Sequence, residues 1–389
     1  MNPFDLFELV ETEPQETCRR IERIIVNLLR DGSIECTVPD RAARMCIDGT
    51  LRVGRATRVI PLSSSILVRA LPVLKMCHSL LKEQTTATVR EIYYRNKRLQ
   101  DDGGGNGDFF AWEEDRFKDE VQCEHTVLFC MHLVGVTRNS LGLIGTTGKG
   151  QVAGLSPTNP GFIHPIPTFR VLAELTPLVT QLLNQRRPPR FLLIVEKHTI
   201  LHRLAQSEFL WNFPCIAVTG KGYPDIDTRR FCRAMVESLN LIPFGICDMN
   251  PHGLALMGTY AYGSLRLAGE AHRYVLPDLT ILGLTNEDGD EYLDLCHYEQ
   301  TPPQFQLFTE ADRTCLRALI STAQEFGNVS LLAELEMMQQ LERKLELDAF
   351  ETIHPGYLVQ HWLPRKICTA VNHIEQQQRH QEQSVELQH

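Results

Sequence analysis

Between residues 189 and 262 short apolar runs alternate with amphipathic stretches, and this order restricts the fold more than any other feature of the chain. PRFLLIVEK (189–197) reads as a buried strand, HTILHRLAQSEF as a helix and CIAVTGKG (215–222) as a second strand. DIDTRRFCRAMVESL reads as a helix, IPFGICDMN (242–250) as a third strand, and PHGLALMGTYAYG opens another helix. Strand, helix, strand in that order implies right-handed crossovers and a parallel sheet. Ligands of such sheets gather at the carboxyl ends of the strands.

The N-terminal half has another texture. Residues 17–30 place Ile21, Ile24, Ile25, Leu28 and Leu29 on one helical stripe, stopped by Asp31-Gly32. Residues 50–60 read as short strands with a turn, and helices are predicted over 63–83 and 88–100. The second opens on Thr88-Val-Arg-Glu91, a capping-box pattern. DDGGGNGD (101–108) reads as a surface loop, 115–136 as a helix and 140–155 as strand and turn. Four prolines in 156–168 mark the best candidate for a domain boundary. Residues 309–350 read as helical, with Leu331, Leu335, Met338, Leu341 and Leu345 on one face, and the Gln-rich tail from 374 as disordered.

Composition sets limits. With 389 residues, 43% hydrophobic and 22% charged, the chain is neither fibrous nor wholly disordered and has length for two or three domains. No run approaches the ~20 apolar residues of a membrane span. The first sixteen residues carry five acids and no base, unlike a secretory or mitochondrial leader, so a soluble intracellular protein is expected. Twelve cysteines without a CxxC pair read as buried free thiols in a reducing compartment. The net charge of −9 argues against a nucleic-acid partner until its distribution is considered. Residues 41–98 hold twelve Lys/Arg against three acids, a local cluster of the kind a phosphate backbone requires, though a solvated surface accounts for it equally.

Two predicted strands end in acids: Glu196 closes FLLIVE, and Asp248 closes FGICD, followed by Asn250. Oxygen donors converging from neighbouring strand ends suit Mg²⁺; the same residues would also serve as caps of the helices that follow. On a helical 88–98, Arg90 and Tyr94 share a face among Arg95, Lys97 and Arg98. From the residues alone, Tyr93 and Tyr94 are equivalent, and both could be core. Lys149-Gly150 and Lys221-Gly222 sit in turns where backbone could approach DNA or simply face solvent.

IVEK, VTGKGYPD with TRRF, and DMNPHG resemble the Toprim domain, the magnesium-binding fold of topoisomerases and some primases. With VREIYYRN, SLGLIGTTGKGQVAGL, LPDLTILGL and LPRKI (363–367), the chain from about 17 to 370 is similar to the A subunit of topoisomerase VI and the eukaryotic meiotic double-strand-break proteins. One departure bears on chemistry: the family motif DxDPxG reads Asp248-Met-Asn250-Pro-His-Gly253 here, one charge fewer, so weaker metal binding is expected rather than a dead site. The Gly-rich insert at 102–108 and VQCEH near 121–125 also depart from the family pattern.

The resemblance implies an α/β plus mainly-α architecture: a partner-contacting helix at 1–34, a winged-helix (CAP-like) DNA-binding domain at 35–160, a Toprim domain at 161–373 and a disordered tail at 374–389. It implies that Tyr94 is the nucleophile, that Arg90 and Lys149 contact phosphate, and that Glu196, Asp248 and Asn250 hold Mg²⁺. Arg95, Lys97, Arg98 and Lys221 would bind DNA. A tyrosine ester preserves the energy of the broken phosphodiester for later reversal, which hydrolysis does not. In the family the chain dimerises, and one protomer's tyrosine meets the other's metal site to leave 5′-phosphotyrosyl ends. The implied function is a nuclear DNA transesterase making double-strand breaks in meiosis, with accessory proteins and a topoisomerase VI B-like subunit as partners. The alternatives are a topoisomerase VI A subunit relaxing DNA with an ATPase partner, a non-catalytic DNA-binding scaffold, and a primase-like Toprim enzyme.

Overall fold

The computed structural model describes residues 6–98, 117–144, 149–169, 171–267 and 269–386. Helix α1 (Pro14–Asp31) begins on a proline, whose fixed φ suits the first turn, and stops at Gly32, left-handed at φ 65°. It buries Cys18, Ile21, Ile24 and Leu28, whereas Leu29, expected on the same stripe, is 76% exposed. Strands β1 (Ser33–Ile47) and β2 (Thr50–Pro61) form one long hairpin, turned at Asp48 and Gly49 with φ 49° and 69°. The sequence predicts only short strands over 50–60. Pro39, Asp40 and Arg41 hide β1 by interrupting its alternation, and the register shifts between Asp40 and Arg44.

Helix α2 (Ser65–Lys82), strand β3 (Ala87–Thr88), helices α3 (Val89–Arg98) and α4 (Glu120–Val134), and strand β4 (Leu143–Ile144) follow. The capping box of α3 is made: Glu91 Oε2 accepts from Thr88 N–H at 2.6 Å, and Thr88 Oγ1 accepts from Glu91 N–H at 3.0 Å. Ile21 and Leu28 of α1 share one core with Val53, Leu74, Ile92 and Val127. Helix α1 is thus built into this unit rather than standing apart as a segment of its own. The Gly-rich run at 101–108 lies outside the described residues.

A six-stranded sheet builds the second unit. Its elements are β5 (Gln151–Ala153), β6 (His164–Pro165), α5 (Thr176–Leu183), β7 (Phe191–Val195), α6 (His198–Gln206), α7 (Phe209–Asn212), β8 (Cys215–Thr219), α8 (Ile226–Leu239), β9 (Ile242–Ile246), α9 (Pro251–Ala261) and β10 (Thr280–Gly283). The strand order is β10-β9-β7-β8-β5-β6. The first four are parallel, as the alternation predicts, and β5 and β6 add an antiparallel edge. All five residues of β7 are buried, which is why it reads as a continuous apolar run. The prolines at 156–168 are not the seam between the units: Val152, Ala153, Leu155 and Ile166 all belong to the sheet's core, while Leu143 belongs to the other. That stretch is the excursion between β5 and the edge strand β6, where Pro165 is tolerated.

Helix α10 (Asn286–Tyr298), strand β11 (Gln306–Leu307), helices α11 (Glu310–Glu325) and α12 (Val329–Leu341), strand β12 (Arg343–Lys344) and helices α13 (Asp348–Ile353) and α14 (Leu363–Glu386) complete the chain. The continuous helical reading of 309–350 fails at two breaks: Gly327-Asn328 separates α11 from α12, and Glu342, at φ 46°, ends α12. Leu345 lies in extended backbone instead of on the helical stripe. Helix α14 runs to Glu386 through the tail expected to be disordered, because Gln, Glu and Arg favour helix and no Gly or Pro follows Pro364.

The two units interlock. Leu51 N–H, near the hairpin tip, donates to Tyr262 O at 3.2 Å, Leu9 N–H donates to Gly269 O at 2.9 Å, and Arg44 pairs with Glu325.

Candidate active site

Strands β7 and β9 are parallel neighbours in register through Val195 and Ile246, so Glu196, one residue past β7, and Asp248, two past β9, emerge close together. Glu196 Oε2 accepts from Asp248 N–H at 2.9 Å. Asp248 is 4% exposed; its Oδ1 accepts from Leu347 N–H at 2.8 Å and its Oδ2 lies 3.0 Å from Lys197 Nζ. Burial, reinforced by the neighbouring Asp248 charge, pushes the Glu196 carboxyl up to about 7. Burial also raises Asp248, against the pull of the Leu347 N–H and Lys197.

Lys197 Nζ reaches Glu346 Oε2 at 2.9 Å and Asp348 Oδ2 at 3.2 Å as well. Burial opposes its charge, but Asp248 and the hydrogen-bonded carboxylates overcome that and hold it above the ordinary lysine range. Segment 343–348 crosses the strand ends because Met249 and Leu345 exchange backbone hydrogen bonds at 2.9 and 3.1 Å. Arg203 Nη1 fixes Asp348 from the far side at 2.7 Å. Sequence reasoning singles out none of Lys197, Glu346, Leu347 and Asp348. The acid-bearing run LERKLELD is the available signal, obscured by its reading as helix.

Asn250 is the N-cap of α9, its Oδ1 accepting from Gly253 N–H at 2.7 Å. Gly253 is required by space: a Cβ there would lie 2.7 Å from Asp248 O and 3.0 Å from Glu196 Oε2. The donor set suits a hard divalent cation, since two carboxylates of like charge meet over a glycine floor and burial, with the neighbouring Asp248 charge, disfavours ionisation of Glu196 until a cation arrives. Asn250 keeps one lone pair for such an ion, the other being engaged in the cap. Among the described residues no three His, Cys, Asp or Glu side chains are arranged to hold a metal ion by themselves. Water and phosphate oxygens would have to complete the shell, as is usual for Mg²⁺.

Lys149 and Lys221 flank this pole. Gln151 pairs with Thr219, so the residues just before β5 and just after β8 leave the sheet at one end. Lys149 N–H donates to Asp225 Oδ2 at 3.3 Å; Lys221, at φ 52°, donates its N–H to Thr219 Oγ1 at 3.2 Å, and Gly222 N–H reaches Glu196 O at 3.4 Å. Both lysines are exposed.

Tyr94 and Arg90 lie on α3 of the other unit. Tyr94 is 41% exposed, its ring edge-on to Tyr93 at 5.2 Å, while Tyr93 packs against the core. The Arg90 guanidinium lies 5.7 Å from the Tyr94 ring centroid and 3.3 Å from Glu120. Its bond to Tyr94, then the Glu120 charge, raises its already high pKa. Arg95 is exposed on the same helix; Lys97 and Arg98 fall in its last turn, their side chains outside the described residues. Among the described residues no hydrogen bond or ion pair joins Tyr94 or Arg90 to Glu196, Asp248 or Asn250. The two groups belong to separate cores.

Two family models match these two regions: the Toprim domain shared by Spo11 and the topoisomerase 6 A subunit, over residues 191–367, and Type IIB DNA topoisomerase, over residues 67–143. The chain belongs to the family of Spo11 and the topoisomerase 6 A subunit. It is 28% identical to the A subunit of DNA topoisomerase 6 from Arabidopsis thaliana over 367 residues, which covers 89% of this chain and 79% of that protein. It is likewise 28% identical to the meiotic recombination proteins SPO11 of Mus musculus and Homo sapiens, over 89% of this chain and 85% of each. The sheet with Glu196 and Asp248 is therefore a Toprim domain, a fold that binds divalent metals, and the chain is a topoisomerase-like DNA-cleaving enzyme. No helix among the described residues is long and apolar enough to cross a membrane.

Proposed function

We propose that the chain cuts both strands of DNA by transesterification, with Tyr94 as nucleophile, and that its biological task is to initiate meiotic recombination in the nucleus. The observation that carries the reading is the part-exposed Tyr94 side chain on a cationic helix with Arg90 packed against its ring. The first unit then acts as a winged-helix DNA-binding domain, with Arg95, Lys97 and Arg98 on the backbone.

Tyr94 Oη forms a bond to phosphorus as the P–O3′ bond breaks. The phenolic proton leaves to solvent, the 3′-oxygen takes one up, and the 5′ end remains esterified to the protein. Arg90 holds the phosphate oxygens as negative charge builds on them. Lys149 and Lys221 orient the backbone beside the acid pole. Glu196, Asp248 and Asn250 would hold Mg²⁺, which would supply positive charge to the developing transition state. The resemblance to the family implies a homodimer whose complete site takes Tyr94 from one copy and the acid pole from a second; the two groups lie in different units of the chain, which is compatible with that arrangement. Accessory proteins and a topoisomerase VI B-like subunit complete the assembly.

Recovery of a covalent protein–DNA adduct whose digestion yields the Tyr94 peptide tests the reading, and an adduct at any other residue overturns it. A topoisomerase VI role instead predicts ATP-dependent relaxation of supercoiled DNA once a B-type ATPase subunit is supplied.

A further inference from the structure

Asp248 has no idle oxygen. Its Oδ1 is held by the Leu347 N–H at 2.8 Å and its Oδ2 by the Lys197 ammonium at 3.0 Å. The same ammonium has two further carboxylates within reach, Glu346 at 2.9 Å and Asp348 at 3.2 Å, both carried on the segment that crosses the strand ends and neither on the sheet. Asp348 is independently anchored by Arg203 at 2.7 Å, so this second berth does not depend on Lys197 for its position. Lys197 directly follows Glu196, which places its charge beside both Toprim carboxylates.

We propose that Lys197 is a built-in competitor for the divalent cation: its ammonium sets the affinity of the acid pole by occupying Asp248 Oδ2, and it withdraws onto Glu346 and Asp348 when a cation takes that oxygen. The inference rests on the reading of Glu196 and Asp248 as cation ligands. A primary ammonium and a hard divalent ion seek the same carboxylate lone pairs, and two like charges a few ångströms apart in a partly buried site repel strongly. With three carboxylates for one ammonium, Lys197 can release Asp248 and still keep two partners. The exchange then requires movement of a side chain, not of the sheet. Asn250 in place of an acid removes one charge from the cation's side of this competition, which makes the ammonium's hold on Asp248 weigh more.

The test is Mn²⁺ binding to the full chain, followed by loss of the free-ion electron paramagnetic resonance signal without DNA. Lys197→Met and Lys197→Gln, the second able to donate to Glu346 and preserve the local packing, should each bind Mn²⁺ about tenfold more tightly than the parent chain. Lys197→Arg, which keeps the charge, should stay within roughly twofold. Neutral variants that are folded by circular dichroism and bind Mn²⁺ no more tightly, or more weakly, overturn the proposal and make Lys197 a support for the site. Asp248→Asn separates the two levels. If it abolishes binding while the neutral variants fail to tighten it, only the competitor role falls. If it leaves binding unchanged, the cation site itself is wrong and both fall.

Discussion

The guanidinium of Arg90 lies over the ring of Tyr94 at 5.7 Å, one helical turn apart on α3, and its other partner is Glu120 of α4. The part-exposed tyrosine and the Arg90 cation are thus held together before any DNA arrives, and Tyr94 lies outside the buried core. Tyr94→Phe should therefore leave the melting temperature and DNA affinity unchanged while lowering adduct formation by at least ~10³-fold. Denaturing-gel detection of protein-linked DNA, beside a thermal melt, measures both.

Arg90 has a separable role. Arg90→Ala should slow single-turnover cleavage by roughly 10²–10³-fold, the range for removal of one group facing developing charge. Arg90→Lys should restore only part of it, since a point charge does not reproduce the planar fork. Full activity in Arg90→Ala would assign the residue to the Glu120 ion pair alone.

Asn250→Asp should tighten divalent-cation binding by adding a charge next to Glu196 and Asp248, and it should not disturb α9, because Asp caps as well as Asn. Asn250→Ala should cost about 1 kcal/mol of stability through the lost bond to Gly253 N–H. Mn²⁺ titration and urea denaturation of the two variants separate the contributions.

Glu196 gives a pH signature. Its folded pKa of about 7 is above the ordinary 4.5, so the folded chain holds this proton more tightly than the unfolded one. The resulting stability is fully present below about 4.5 and lost as pH rises through about 7. Glu196→Gln should flatten the stability curve over that window. A cation favours the ionised carboxyl, so in the parent chain Mn²⁺ binding should strengthen across the same rise. A titration of cation affinity with no change across the upper part of that window would contradict the assignment.

The parallel core and the pole to which it delivers Glu196 and Asp248 were legible because β7, β8 and β9 are buried on both faces and announce themselves as apolar runs, the first and the third followed by acids. The partners of Lys197 were not. Glu346 and Asp348 are about 150 residues away, brought in by the two backbone bonds between Met249 and Leu345, and backbone pairing leaves no residue-type signature. Strand β1 was hidden for the opposite reason, being half-exposed and interrupted at Pro39 and Asp40. The prolines of 156–168 misled as a boundary because their composition describes an edge excursion as well as a linker.

The hairpin from Ser33 to Pro61 and the leading residues Phe7 and Leu9 both lean on the far unit through Tyr262, Gly269 and Glu325. Scissoring this chain into independently expressed halves near residue 150 would consequently bare apolar surface on each fragment, and fragments made that way should be sticky and poorly behaved. Dissection is better attempted with point substitutions in the intact polypeptide.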